Sequence, residues 1–363
     1  MKLRIEKQRL NSIAETLYPF LPKNPLVPIL ENILLQLKDN ELVFTASDSN
    51  NAIQYKLPVD EVEISEPQDV CFNILFASDY VKSLKDETIS LEFFDNGMVI
   101  THDSGHIEMA TEDVKMYPNR EILEPESFIN ITGNEFYNSL KLANSIVNPD
   151  NKDYQPSYCV HFNGKDIFSS GTINHTYFNI LKVNIEGDMQ KVSVHYSQIQ
   201  KLLGYISRRS EFKIHLGIDH IVCKDEYSIC YIAGIKYSAP PYELIYKQET
   251  TQKVIISKKE LESCVNRIIV SSKGFPAYIS LLSHDDTIEI SSLNSVYGIN
   301  ISETISAVMT DNIDYGLLAN QLIKGFKMFD EGNLTIKFFQ SVASITCDGN
   351  ENIFVIGRYI FNK

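Results

Sequence analysis

The sequence predicts an α+β chain made of three tandem, similar domains, and three observations carry that prediction. A length of 363 residues exceeds one ordinary core and suits two or three domains. One hairpin pattern recurs along the chain at a spacing of roughly 120 residues. Between strand-rich stretches, helix-start signals return at intervals of roughly 55 to 70 residues, so each domain is expected to hold two similar half-units. The expected domains are 1–122, 123–247 and 248–363.

The hairpin is clearest at Ser90–Thr101, where apolar and polar residues alternate on either side of Asn96-Gly97, a strong hairpin-turn signal. Thr335–Thr346 aligns with it without gaps, and Lys213–Leu216 followed by Ile221-Val222 repeats the alternation about midway. Three helix starts carry a hydroxyl residue with Glu or Gln three positions on, the pairing that satisfies free amides reciprocally. These are Thr132 with Glu135, Ser197 with Gln200, and Ser257 with Glu260. Less clearly marked helices are expected near Glu6, Ala77 and Leu318.

Composition narrows the class. Hydrophobic residues at 44% and charged residues at 22% are ordinary for a soluble globular protein. No apolar run approaches the roughly 18 residues of a membrane span. The opening residues show no apolar targeting core, which makes a cytoplasmic location the expectation. The six cysteines are scattered without metal-ligand spacing, so reduced, buried thiols are expected, with no metal site and no disulfide framework.

A formal net charge of -14 speaks against a polyanion partner unless the charges are segregated. In the helix windows 6–18, 77–86, 133–146, 196–209, 258–269 and 318–328, thirteen Lys or Arg face seven Asp or Glu. The windows are thus +6 and the remainder -20. Such a split gives a basic helical face beside an acidic, sheet-rich one, although exposed helix faces also favour Lys and Arg for solvation alone.

Pro25–Leu35, followed by Leu42–Asp48, resembles the first domain of the bacterial DNA polymerase sliding clamp family, the beta subunit. The likeness lies in a proline-bracketed loop, a leucine-rich strand and a second strand ending in Thr-x-x-Asp. Gly171–Tyr177 and Ala239–Tyr242 are similar to two landmarks of the family's second domain, in the same order. The resemblance implies helices lining the inside and antiparallel sheets outside, with two chains joined head to tail into a ring around double-stranded DNA. It implies sequence-independent DNA binding, and a replicative polymerase and clamp loader docked through linear peptides. No cofactor is implied.

Carried over by position, the resemblance places a peptide cleft at Thr172, His175, Tyr177, Pro240, Leu244, Ile245, Val342, Ser344, Ile356 and Tyr359. The family's usual Gly-His-Arg-Leu is here Asn174-His175-Thr176-Tyr177, and its Met-Pro-Met is Gly357-Arg358-Tyr359, so the cleft is expected to have changed shape. The dimer seam maps to Gly105–Met109 and the region Asn300–Glu303, with Ile107 and Met109 expected against Ile269 and Val270. DNA contacts are expected from Lys23, Lys201, Arg208, Arg209, Lys258, Lys259, Lys324 and Lys327.

No catalytic residue is predicted, because no nucleophile elbow, P-loop, dinucleotide fingerprint or zinc-protease motif occurs. His215 and His220 near Asp219 read as hairpin residues, and Asp285-Asp286 as a turn. Two other readings stay open: a β-rich binding scaffold that does not encircle DNA, and a β-rich enzyme with convergent carboxylates.

Overall fold

The structure is a computed structural model that describes residues 1–118, 122–147, 155–164, 166–171, 177–182, 190–239, 241, 244, 248–294 and 298–361. One local plan recurs: a strand runs directly into a helix, and a three-stranded antiparallel meander follows. The first copy is β1 (Lys2–Glu6), α1 (Lys7–Leu17), β2 (Ile33–Lys38), β3 (Glu41–Ser47) and β4 (Ala52–Pro58), with a short β5 (Glu63–Ser65). The second is β6 (Val70–Phe72), α2 (Ile74–Lys82), β7 (Thr88–Phe94), β8 (Gly97–His102) and β9 (Gly105–Ala110). The third is β10 (Ile129–Thr132), α3 (Gly133–Ile146), β11 (Cys159–Asn163), β12 (Asp166–Ser170) and β13 (Tyr177–Lys182).

The fourth copy is β14 (Val192–His195), α4 (Tyr196–Ile206), β15 (Glu211–Leu216), β16 (His220–Lys224) and β17 (Ser228–Ala233), with a short β18 (Ile235–Lys236). The fifth is β19 (Lys253–Ser257), α5 (Lys258–Ser271), β20 (Tyr278–His284), β21 (Thr287–Asn294) and β22 (Ile299–Met309). The sixth is β23 (Asp314–Leu318), α6 (Ala319–Phe326), β24 (Asn333–Phe338), β25 (Val342–Cys347) and β26 (Asn350–Gly357). The three predicted hairpins are β7–β8, β15–β16 and β24–β25, each opening the meander of an even-numbered copy.

Two compact units result, one of Met1–Asn134 with Ser197–Gly234, the other of Glu135–Tyr196 with Ile235–Lys363. The first holds a five-stranded sheet, β5-β1-β7-β8-β9, and an eight-stranded one, β10-β15-β16-β17-β4-β3-β2-β6. The second holds a thirteen-stranded sheet, β18-β14-β11-β12-β13-β26-β25-β24-β19-β22-β21-β20-β23. Helices bury one apolar stripe each: Leu10, Ile13, Ala14 and Leu17 on α1, and Leu261, Cys264, Val265 and Ile268 on α5. These spacings of three and four put the residues on one face, and burying each large side chain contributes about 1.5–3 kcal/mol.

Helix starts follow the sequence signals unevenly. Ser257 caps α5, its hydroxyl accepting from the Glu260 amide at 3.5 Å. Ser197 lies inside α4, which starts at Tyr196, so the predicted cap there is displaced by the strand running straight into the helix. α2 starts at Ile74, earlier than Ala77, because Asn73 accepts from the Phe76 amide at 2.9 Å. At β7–β8 the turn is Asp95-Asn96, since Phe94 pairs with Gly97; the predicted Asn-Gly pair is one residue out of register. Two left-handed central residues occur instead in the hairpin turn Asp39-Asn40, at φ 47° and 63°, between β2 and β3.

Candidate functional site

The helices as folded are shorter than the windows read from sequence. Lys85, Arg208, Arg209 and Lys327 fall just beyond helix C-termini, and Glu6 and Asp86 fall outside as well. Nine basic residues therefore face five acids within the helices, +4 where +6 was expected. Cations just past a helix C-terminus complement its dipole, so part of the basic pattern serves the helices themselves.

In the first unit, Lys201 of α4 is drawn inward, 3.0 Å from Asp48 and 3.2 Å from the Pro19 carbonyl. Burial alone would raise the Asp48 carboxyl, but the Asn51 amide and Lys201 hold it below the ordinary carboxylate range. Asp48 also accepts from the amides of Asn50 at 3.0 Å and Asn51 at 2.7 Å, closing the β3–β4 turn. Arg209 is committed in the same way: it pairs with Asp225, donates to Ser228 at 3.0 Å and lies 3.7 Å over the Tyr205 ring. Its side chain is 11% exposed, so it offers little to a phosphate in solvent. Arg208 is exposed but paired with Glu15, while Lys23 is exposed beside the fully exposed Leu26. Sequence reasoning missed Asp48 and Asp225 as anchors of two expected DNA contacts; the only local signal is that each begins a turn.

In the second unit, Lys258 donates to the Phe329 carbonyl at 2.7 Å, while Lys259, Lys324 and Lys327 are exposed. Lys327 lines a cleft of about 1200 Å³ together with Lys141, Glu135, Asp330 and Glu351. Three carboxylates against two ammonium groups make that cleft a weak phosphate attractor.

Of the expected peptide-cleft residues, Thr172, His175, Pro240 and Ile245 lie outside the described residues. So does the Tyr177 side chain, although its backbone pairs with Ile356 at the start of β13. Val342 and Ser344 share one face of β25, buried against Phe168, Phe339 and Val355 in the case of Val342. Register turns Ile356 to the other face, since it pairs with Ala343, whereas Val355 and Gly357 stand opposite Ser344 and Val342. Leu244 is exposed, and Tyr359 stacks on Tyr278 at 4.0 Å. The Tyr359 amide donates to the Gly316 carbonyl at 2.8 Å, an approach that needs glycine because a Cβ there would collide with the Tyr359 carbonyl.

The expected seam residues lie on sheet margins. β9 ends the five-stranded sheet, with Ile107 and Met109 half-buried on the same side as their partners Ile100 and Met98. In β22, Ile299–Ser306 pairs only with β21 among the described strands, and Ala307–Met309 pairs with β19. Ile269 is half-buried and Val270 exposed near the end of α5, where Arg267 grips Glu303 of β22 through two hydrogen bonds, one of 2.7 Å. The Arg267 hydrogen bonds hold the Glu303 carboxyl below its usual range.

Among the described residues, no three His, Cys, Asp or Glu side chains are placed to hold a metal ion. The six cysteines are free and buried. His215 bonds the Ser127 carbonyl at 3.0 Å and His220 bonds Asp219 at 2.9 Å, on the sheet surface. Asp285-Asp286 forms the predicted turn between β20 and β21.

Residues 1–121 match the family model of the DNA polymerase III beta subunit, N-terminal domain. The chain is 22% identical over 318 residues to the beta sliding clamp of Rickettsia felis, covering 85% of this chain and 82% of that protein. It is 28% identical over 138 residues to the beta sliding clamp of Bacillus subtilis, 36% of each. A putative DNA polymerase III beta subunit from Eubacterium rectale superposes with a TM-score of 0.86 at 18% identity, covering 99% of this chain and 100% of that one.

These matches support a divergent beta sliding clamp, with the family model covering the N-terminal third of the chain. The DNA polymerase sliding clamp of Bacillus subtilis has the same fold, with a TM-score of 0.85 over 100% of both chains. The proteins matched are named as sliding clamps and polymerase subunits, which are processivity factors and not enzymes, and this speaks against the β-rich enzyme reading. No helix among the described residues is long and apolar enough to cross a membrane.

Proposed function

We propose that two copies of this chain join head to tail into a closed ring around duplex DNA and tether a replicative polymerase and a clamp loader through linear peptides. The observation that carries the reading is the recurrence of one strand–helix–meander unit along the whole length, in the fold of solved sliding clamps. Three domains at 1–122, 123–247 and 248–363 would each hold two such units. β4 with β17 and β13 with β26 would then join neighbouring domains through continuous ladders.

The margins of β9 and β22 support a seam, because adding strand to strand there would pair backbone groups that are otherwise open. Lys23, Lys259, Lys324 and Lys327, all exposed, are the strongest candidates for phosphate contacts. Lys201, Arg209 and Lys258 would act by holding their helices in place, and Arg208 by exchanging Glu15 for phosphate. Loose contacts suit a sliding device, since closure supplies the retention that affinity need not.

The decisive experiment loads the protein onto nicked circular DNA with a cognate loader and then linearises the circle. Release on linearisation supports encirclement. Retention on linear DNA, or a monomeric mass by light scattering throughout, favours a binding scaffold that does not enclose DNA.

A further inference from the structure

His161, on β11, is fully buried yet fully hydrogen-bonded. Its Nε2 lies 3.0 Å from the Pro156 carbonyl and its Nδ1 2.7 Å from the Ser193 hydroxyl on β14. A carbonyl only accepts, so Nε2 carries the proton and Nδ1 accepts from Ser193. The Ser193 oxygen keeps a lone pair free to accept from the Ser238 amide at 3.0 Å. Every donor and acceptor in this relay thus has one role. Burial lowers His161 to about 4, which keeps the ring neutral and the direction of the relay fixed at ordinary pH.

The relay ends under the predicted docking region. The His161 ring lies 5.5 Å from that of Phe168 and 6.0 Å, edge-on, from that of Tyr237. Phe168 in turn packs with Val342, Val355 and Phe339, and Ala239 rests on the same cluster. Tyr237, Ser238 and Ala239 are therefore held from below by rings on both sides and by one hydrogen bond in the middle.

We propose that His161 and Ser193 are positioning residues for partner docking: their relay fixes the Tyr237–Ala239 segment against Val342 and so sets the shape of the groove that a partner peptide enters. The inference rests on the docking reading above. Neither side chain touches the peptide. Both act through the Ser238 amide.

Ser193→Ala cuts the relay in its middle and leaves the Ser238 amide without its acceptor. The test measures two quantities on the full-length protein at a temperature where melting curves show it folded. One is the anisotropy of a fluorescein-labelled clamp-binding peptide from the family's polymerase, and the other is hydrogen exchange at the Ser238 amide. Ser193→Ala is expected to speed that exchange and weaken the peptide about tenfold or more. Ile256→Val, a core change on β19 away from the relay, is expected to lower the melting temperature with peptide affinity held within about twofold. Should Ser193→Ala fail to fold, His161→Gln is read in the same way. Faster Ser238 exchange with undiminished peptide affinity overturns the inference alone, whereas a wild-type protein that binds no peptide overturns the docking reading and the inference with it.

Discussion

Single residues here do structural work that their type advertised as functional. Lys201 is the clearest case, because it is held by Asp48, whose carboxylate also closes a turn. The folded pKa of Asp48 is depressed below the unfolded value of about 3.9, so its contribution is present above that pH and is lost as pH falls through the folded value. Asp48→Asn is expected to cost about 1–3 kcal/mol of stability at neutral pH, read as a lower urea midpoint, and to flatten the acid limb of stability against pH. Equal acid limbs in wild type and variant would contradict the assignment. Ser257→Ala should cost about 1 kcal/mol in the same assay. The Ser257 cap was legible because a hydroxyl and Glu260 stand in the right spacing, whereas Asn73 is followed by Ile74-Leu75-Phe76 and carries no such pair. The commitment of Arg209 was legible only in part, since Tyr205 stands one helical turn before it but Asp225 reaches it only once the β16–β17 hairpin is folded.

At the scale of elements, the sequence announced hairpins well and long-range pairing poorly. Alternation marks β7–β8 and β24–β25 because each has one buried face, but nothing local says that β4 will meet β17 or that β13 will meet β26. Of the candidate docking groove, the strands were legible; the face each residue takes was not, because one step of register sends Ile356 away from Val342. Strand margins yield two predictions. Ile107→Asp places a charge on the half-buried side of β9 and should give monomers in analytical ultracentrifugation; an unchanged dimer would remove β9 from the seam. Gly316→Ala should lower the melting temperature, with a cost of about 1–3 kcal/mol, because the Tyr359 carbonyl occupies the space a methyl needs.

For the whole molecule, the repeat was legible from spacing and hairpin pattern, and the charge split only in outline, because a third of the counted cations lie past helix ends. An overall charge of -14 makes affinity for open DNA ends weak, and retention on circles should therefore outlast rising salt far better than binding to a linear fragment. Equal salt sensitivity on the two substrates would argue against enclosure. The unbroken ladders at β4–β17 and β13–β26 bear on how such a ring could be prised apart. Rupturing either requires several parallel hydrogen bonds to fail together, so both behave as stiff plates under load. In the proposed ring the compliant places would be the two short seams between β9 and β22, and a loader pulling on the ring would find one of those seams yielding first.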